Sequence, residues 1–478
     1  MKKQLYIALI LMFAIAVSKA QNTVSWSMGM NIATSNTGNS HPRITTNRAG
    51  NPLVLWNYNG GAMFSRWSSG AFSTPVMLNM SVAGGDWMGP DIASHGDTVY
   101  VVFKRTPEAS DTSHIFCIHS YNGGMTFSMP VRVDNINDSI SRFPTVTTDD
   151  IGNPIIGFMK FDPAFGDARW VVISSGDFGN TFSGDVKASG WSDANSTVCD
   201  CCPGAIACSG NTIAMMYRDN NNDIRDTWAG ISTDKGSSFT SGINIDEQNW
   251  NISSCPSTGP DGVIVGDTLY STFMNAASGM SRVYFGKSSV SGTIDAVAIP
   301  LTGNIAGMTL QNYPRIATDG TALAVVWKQR VNGNDQCVLR FTNNIANGLP
   351  MPYDTVDLDN ITNADVAISN GKVFVVWEDD GSGTIKYRQG DFNSVTALTE
   401  NTPQNTIAVF PNPANGIVNI TGEKIIDEVR IVNLLGQSVY YSKPYDKNVS
   451  LYIDKQGIYF VSIGSGKETI SLKLSIIQ

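Results

Sequence analysis

Short apolar runs recur at an even pace between residues 40 and 390. They occupy 53–56, 99–103, 155–158, 213–217, 269–273, 323–327 and 373–377, and each ends in an aromatic residue: Trp56, Phe103, Phe158, Tyr217, Phe273, Trp327 and Trp377. Runs this short, rich in β-branched and aromatic residues and bounded by Gly, Asn or Asp, predict strands rather than helices. Ahead of each run, a proline opens another apolar stretch. The copies are His41-Pro42-Arg43-Ile44, Gly89-Pro90-Asp91-Ile92, Phe143-Pro144-Thr145-Val146, Cys202-Pro203-Gly204-Ala205, Cys255-Pro256-Ser257-Thr258 and Tyr313-Pro314-Arg315-Ile316, with Asn363-Ala364-Asp365-Val366 carrying alanine in the proline's place. These openings stand 48 to 59 residues apart, the length of one four-stranded propeller blade with its loops. The pattern predicts an all-β chain folded as a seven-bladed β-propeller, six blades with one irregular unit being the alternative. The last unit ends after a third strand near Tyr387, and residues 23–26 are expected to supply its fourth, leaving no open edge.

The two ends of the chain read differently. At the N-terminus Lys2 and Lys3 precede an apolar run over 5–17, followed by Ser18-Lys19-Ala20. This is the layout of a cleaved export signal, 1–20, and its run is too short to span a bilayer comfortably. No later stretch is a transmembrane candidate. Losing the three lysines of that leader moves the formal net charge from −9 to −12, which disfavours nucleic acid and anionic membrane as partners. Residues 395–407 are polar, contain Pro403 and read as a linker. The propeller is therefore assigned to 21–394 and a separate all-β unit to 408–478.

The turn after the third strand carries its own repeat. Ser175-Gly176-Asp177-Phe178-Gly179-Asn180-Thr181-Phe182 and Ser232-Thr233-Asp234-Lys235-Gly236-Ser237-Ser238-Phe239 share Ser-x-Asp-x-Gly-x-Thr/Ser-Phe, and 120–127 is a copy with Asn122 for the aspartate. The Asp or Asn side chain suits bonding to turn amides, and glycine suits a left-handed φ. These turns resemble the Asp boxes (BNR repeats) of the sialidase superfamily. In the C-terminal unit, Val409-Phe410-Pro411-Asn412-Pro413, Glu428-Val429 leading to Gly436-Gln437, and Gly457-Ile458-Tyr459 resemble the type A sorting domain of the type IX secretion system. That resemblance implies passage through the outer membrane by the type IX machinery and a secreted or surface-attached product.

In a propeller the proline positions ring the channel mouth on the face away from the third-to-fourth turns, and the sialidase resemblance makes that face the active-site face. Charged residues gathered on one concavity form the default site. By position, Arg43, Arg218 and Arg315 are the candidate substrate-binding guanidiniums, since a planar fork matches a carboxylate. Asp91 is the candidate acid, and Tyr313 with Glu378 the nucleophile pair implied by a retaining exo-glycosidase of sialic or related acidic sugars. Arg43 departs from the family's Arg-Ile-Pro order, because here the proline comes first. Three further readings stand beside this one: arginines that bridge blades to Asp91 and Asp365, a non-catalytic glycan- or protein-binding module, and a polysaccharide lyase with His or Tyr as base near an arginine. Extracellular glycans are the expected partners in each glycan-directed reading, and no cofactor is called for. Residues 57, 104, 328 and 378, just past the strand-ending aromatics, are expected near the same mouth. The aromatics themselves recur in every unit and predict a packing column rather than sugar platforms.

Four of the seven cysteines fall within Cys199-Asp200-Cys201-Cys202-Pro203-Gly204-Ala205-Ile206-Ala207-Cys208. Export favours disulfides among Cys199, Cys201, Cys202, Cys208 and Cys255, with Cys202–Cys255 attractive across neighbouring blades and a vicinal Cys201–Cys202 bridge strained. A soft-metal site and a redox-active thiol are the other readings; Cys-x-Cys-Cys-x5-Cys is not a standard zinc spacing. Cys117 and Cys337 fall in third strands as buried thiols.

Overall fold

The chain divides into two compact units, residues 1–395 and 396–478. The structure, a computed structural model, describes residues 24–85, 87–108, 113–134, 139–193, 196–292, 296–393, 407–466 and 468–477. The expected export signal at 1–20, Thr23 and the expected linker up to 406 lie outside the described residues. The described residues hold strands and one 3-10 turn, Ile345–Asn347, but no α-helix, as an all-β pattern requires.

Every apolar run ending in an aromatic is a second strand: Pro52–Tyr58, Thr98–Lys104, Pro154–Phe161, Thr212–Asn220, Thr268–Asn275, Leu323–Val331 and Lys372–Asp379. Each is sandwiched antiparallel between a first and a third strand in its own sheet, and the first unit holds seven such sheets among the described residues. The first strands are Asn39–Thr46, Asp91–His95, Ile140–Thr148, Ala205–Ser209, Asp261–Val265, Met308–Thr318 and Ile361–Ser369. They lie against one another in cyclic order, the seventh returning to the first. The outermost strand of the seventh sheet comes from the N-terminus. Ser25 and Trp26 pair with Asp391 and Gly390, and Met30 and Asn31 pair with Tyr387 and Lys386. The strand-ending aromatics are buried, with Trp56 1% exposed and Trp327, Trp377 and Tyr217 at 0%. Sealed from solvent, they pack the sheets and offer no stacking surface to a sugar.

One opening was misplaced by the sequence pattern. The first strand of the fifth sheet begins after Pro260, at Asp261, and not after Pro256. Cys255 therefore lies in the approach to that sheet and is not the counterpart of Cys202. The overlooked signal is Gly259-Pro260-Asp261, which repeats Gly89-Pro90-Asp91 letter for letter.

The third-to-fourth turns close as their composition requires. Asp177 accepts hydrogen bonds from the Thr181 amide (2.8 Å), the Thr181 hydroxyl (2.7 Å) and the Ser175 hydroxyl (2.8 Å). These bonds favour the charged form and hold its carboxyl at about 2. Asp234 repeats the set with Ser232 and Ser238. In the second unit a three-stranded and a four-stranded antiparallel sheet share a core that includes Val418, Ile420, Val429, Ile431, Val461 and Ile463.

Candidate functional site

The proline-marked ends of the first strands converge on one open cavity. His41, Arg43, Asp91, Phe143, Tyr313 and Arg315 line it with Asn363 and the backbone around Pro203 and Pro260. The opposite ends of the same strands, at Asn47, His95, Thr148 and Thr318, line a separate cavity. Three residues at the first cavity are strained alike. His41, Phe143 and Tyr313 each precede the proline, sit where strand pairing shifts register, and have φ of 53°, 52° and 50°. Left-handed backbone at a bulky residue costs on the order of 1–3 kcal/mol, and such strain gathers at functional sites.

Three aspartates at this end act as clasps between sheets. Asp91 Oδ2 accepts from the Val146 amide (3.1 Å) and the Thr145 hydroxyl (3.0 Å). Asp261 Oδ2 accepts from the Ile316 amide and Asp365 Oδ2 from the Ile44 amide, both at 2.9 Å. Each carboxylate thus reaches from one first strand to the amide two residues past the opening residue of the next. Two guanidiniums sit among them. Arg43 Nε lies 3.8 Å from Asp91, and Arg315 Nε lies 3.4 Å from Asp261 and 3.2 Å from Asp365.

The two arginines differ in what remains free. Arg43 Nη1 donates to the Pro42 carbonyl (2.8 Å) and Nη2 to His41 Nε2 (2.6 Å). Arg315 bonds Asp365 through Nε, its terminal nitrogens make no hydrogen bond among the described residues, and its side chain is 20% exposed. A guanidinium held at its base with its fork open to a cavity suits a planar anion. Burial, then Arg43 and Arg315, holds His41 well below the ordinary imidazole range, so the ring is neutral at pH 7. Burial and Arg315 lower Arg43 to about 10 against the pull of Asp365 and Asp91. Burial pushes Asp261 up to about 6, with Arg315 and the Ile316 amide opposing. Burial alone would lower Arg315, but Asp261, Asp365 and Asp91 together raise it.

Of the residues singled out from sequence, Arg43, Asp91, Tyr313 and Arg315 meet at this cavity. Glu378 does not line it. Its Oε2 accepts from the His41 amide (2.9 Å) and Asn363 Nδ2 (3.1 Å), so it sets the strained turn from behind. Arg218 is a correction. It is 0% exposed and donates to the carbonyls of Thr258, Arg225 and Met274, with Trp250 against its guanidinium. Lys104 and Lys328 are likewise withdrawn, paired with Glu108 (2.6 Å) and Asp335 (2.9 Å). Sequence reasoning passed over Asp261, which the repeated Gly-Pro-Asp would have found. It placed His41 at the mouth but gave it no role.

Beside the cavity stands the cysteine cluster. Cys202 N donates to Cys199 O (3.2 Å), a turn that brings the Cys199 and Cys202 Cα atoms to 5.4 Å, and the structure joins these two and joins Cys201 to Cys255. The Cys202–Cys255 pairing that looked attractive from sequence is replaced, because the turn matches i with i+3, and the strained Cys201–Cys202 bridge does not form. Cys208 belongs to neither bridge. It sits near the far end of strand Ala205–Ser209, opposite Ile213, six residues of chain from Cys202. Burial, with Asp150 and Asp149, pushes its thiol up to about 12. Cys117 and Cys337 are buried free thiols in third strands.

Comparison with known proteins separates the two units. Residues 408–478 match the secretion system C-terminal sorting domain. This domain marks the protein for export by the secretion machinery and for attachment at the cell surface, and no described helix is long and apolar enough to cross a membrane. No curated protein sequence matches the chain. Among solved structures, the chain is similar to a polysaccharide lyase, an ulvan lyase bound to a saccharide of glucuronic acid and 3-sulfated rhamnose. The two share 11% identity and a TM-score of 0.52, over 76% of this chain and 96% of that one. It is also similar to an α-L-arabinofuranosidase from Fusarium graminearum (12% identity, TM-score 0.44, 67% of this chain and 99% of that one) and to a protein of unknown function from Dyadobacter fermentans (9% identity, TM-score 0.45, 77% and 99%). The likeness to the lyase concerns the fold alone, an all-β fold of the propeller kind.

Proposed function

We propose that the first unit is a seven-bladed propeller, its third-to-fourth turns Asp boxes, and that it acts on an acidic extracellular glycan at the proline-lined mouth. The observation that carries this reading is the open fork of Arg315, fixed by Asp261 and Asp365 and aimed into the cavity shared with Arg43 and Tyr313. Arg315 takes the sugar carboxylate. Arg43, held by His41, adds positive charge behind it. Tyr313 stands on the cavity wall as the group that meets the reacting carbon.

Two reactions fit a tyrosine beside guanidiniums. In elimination from a uronate, Arg315 neutralises the carboxylate, the Tyr313 phenolate takes the C5 proton and passes it to the 4-linked oxygen as the C4–O bond breaks, and the C4=C5 double bond of an unsaturated sugar forms. In retaining hydrolysis, Tyr313 is the nucleophile, Glu378 its partner and Asp91 the acid. Elimination is favoured because Asp91 already accepts from the Val146 amide and the Thr145 hydroxyl, and Glu378 from the His41 amide and Asn363. Hydrolysis keeps one support, the place of Asp91 on the cavity wall.

The test is to incubate the secreted chain with uronate-containing polysaccharides and with sialosides. Elimination yields a product absorbing in the ultraviolet, whereas hydrolysis yields a free acidic sugar without it. Arg315→Lys keeps a charge between Asp261 and Asp365 but loses the fork, and it should cost about tenfold or more in kcat/KM, the worth of one charge-assisted hydrogen bond, with little change in folding. Binding of acidic glycans without turnover would leave a recognition module. Neither binding nor turnover would sink the reading.

A further inference from the structure

Four sulfurs from two sheets meet beside the mouth. The Sγ atoms of Cys199, Cys201, Cys202 and Cys255 all lie within 4.8 Å of one another. Three come from one tight turn and the fourth from 54 residues beyond Cys201. Two independent bridges need closeness only within each pair. Here the pairs also touch each other: Cys255 Sγ is 3.6 Å from that of Cys199 and 3.8 Å from that of Cys202. Tetrahedral zinc with sulfur at about 2.3 Å has sulfur–sulfur edges of about 3.8 Å. Cys199 and Cys202 are 0% exposed, and the Ser257 hydroxyl, on a residue at φ 50°, donates to Cys255 Sγ at 3.7 Å. A hydroxyl aimed at a sulfur stabilises thiolate and orients a ligand.

We propose that these four cysteines are the thiolate ligands of one structural zinc ion, and that the two bridges are what the cluster becomes without it. The chain is made with its cysteines as thiols. Loading the ion releases up to four protons and moves no electrons. Forming both bridges instead removes four electrons and four protons and needs an external disulfide oxidant. The geometry gives the ion a task. Pro203 and Gly204 on one side and Thr258 and Gly259 on the other line the mouth, and a Cβ on Gly259 would stand 2.1 Å from Pro203 O. Zinc at the cluster would clamp these two loops and hold that side of the cavity in register, whichever reaction the cavity performs.

The exported chain, purified without reductant or chelator, should contain one zinc per molecule by plasma mass spectrometry and have the denatured mass of seven free thiols. A metal-free chain about 4 Da lighter, the hydrogens that two bridges remove, overturns the proposal, and copper in place of zinc overturns the choice of ion. In a second arm, the full chain reduced with a phosphine is titrated with Co²⁺. One equivalent should give the visible and thiolate charge-transfer bands of a tetrahedral tetrathiolate, and zinc should displace them. Cys255→Ser and Cys202→Ser should lose these bands, Cys208→Ser should keep them, and Ser257→Ala should weaken zinc binding on the order of tenfold. Absence of the bands in the wild-type chain, or their loss in Cys208→Ser, overturns the ligand set.

Discussion

Asp261 is a carboxylate whose burial opposes the charge it carries, and replacing it by asparagine should make the first unit less sensitive to pH. The side chain is buried between the Ile316 amide (2.9 Å) and Arg315 Nε (3.4 Å), and its carboxyl stands at about 6 rather than the ordinary 3.8. A raised value means that the folded state binds the proton more tightly than the unfolded chain. The stability tied to this proton is complete below the unfolded value and is lost as pH rises through 6. A difference of about two pH units corresponds to about 3 kcal/mol. Asp261→Asn carries no proton to lose, keeps an acceptor for the Ile316 amide, and leaves Arg315 its closer partner, Asp365, at 3.2 Å. The variant should therefore gain up to about 3 kcal/mol over wild type at pH 8 and nothing at pH 3.5. Unfolding in guanidinium, followed by tryptophan fluorescence at intervals from pH 3.5 to 8, measures this. A variant destabilised at pH 8 but not at pH 3.5 would show that the Asp261–Arg315 attraction outweighs desolvation, and the argument would be wrong.

Other outcomes follow from the same contacts. Gly89→Ala places a Cβ 2.4 Å from His41 Cδ2, so it should push the ring off Arg43 and cut turnover at least tenfold while circular dichroism changes little. His41 is held neutral by burial and two arginines, so imidazole NMR should show no His41 titration above pH 6.5, and the acid limb of activity should not coincide with an ordinary histidine. Trp56 is 1% exposed and its Nε1 donates to Asn39 Oδ1 at 2.9 Å; Trp56→Ala should cost about 3–5 kcal/mol in denaturant unfolding. Deleting 408–478 removes the sorting domain, and cell fractionation should find the shortened chain retained inside the outer membrane with its first unit folded.

Much of this protein follows from period and composition. Strand identity is a local property: β-branched and aromatic residues alternate between two buried faces, and all seven second strands lie where their apolar runs predict. The Ser-x-Asp-x-Gly turns close through bonds within eight residues, so they too were legible. The sorting domain shows itself through short motifs in order. What neighbouring sheets do to a side chain is not local. Pro256 and Pro260 both precede strand-compatible residues, and only pairing of Asp261 with Thr272 selects the second. Arg43, Arg218 and Arg315 look alike as letters, yet packing seals Arg218 behind three carbonyls and leaves the Arg315 fork open. Asp91 read as a free acid until the Val146 amide of the next sheet came to rest on it. Sequence alone determined the strands, their repeat and the route of export. Tertiary structure decided which charges face the channel and which sulfurs meet, because both depend on contacts between segments some fifty residues apart that no local pattern encodes.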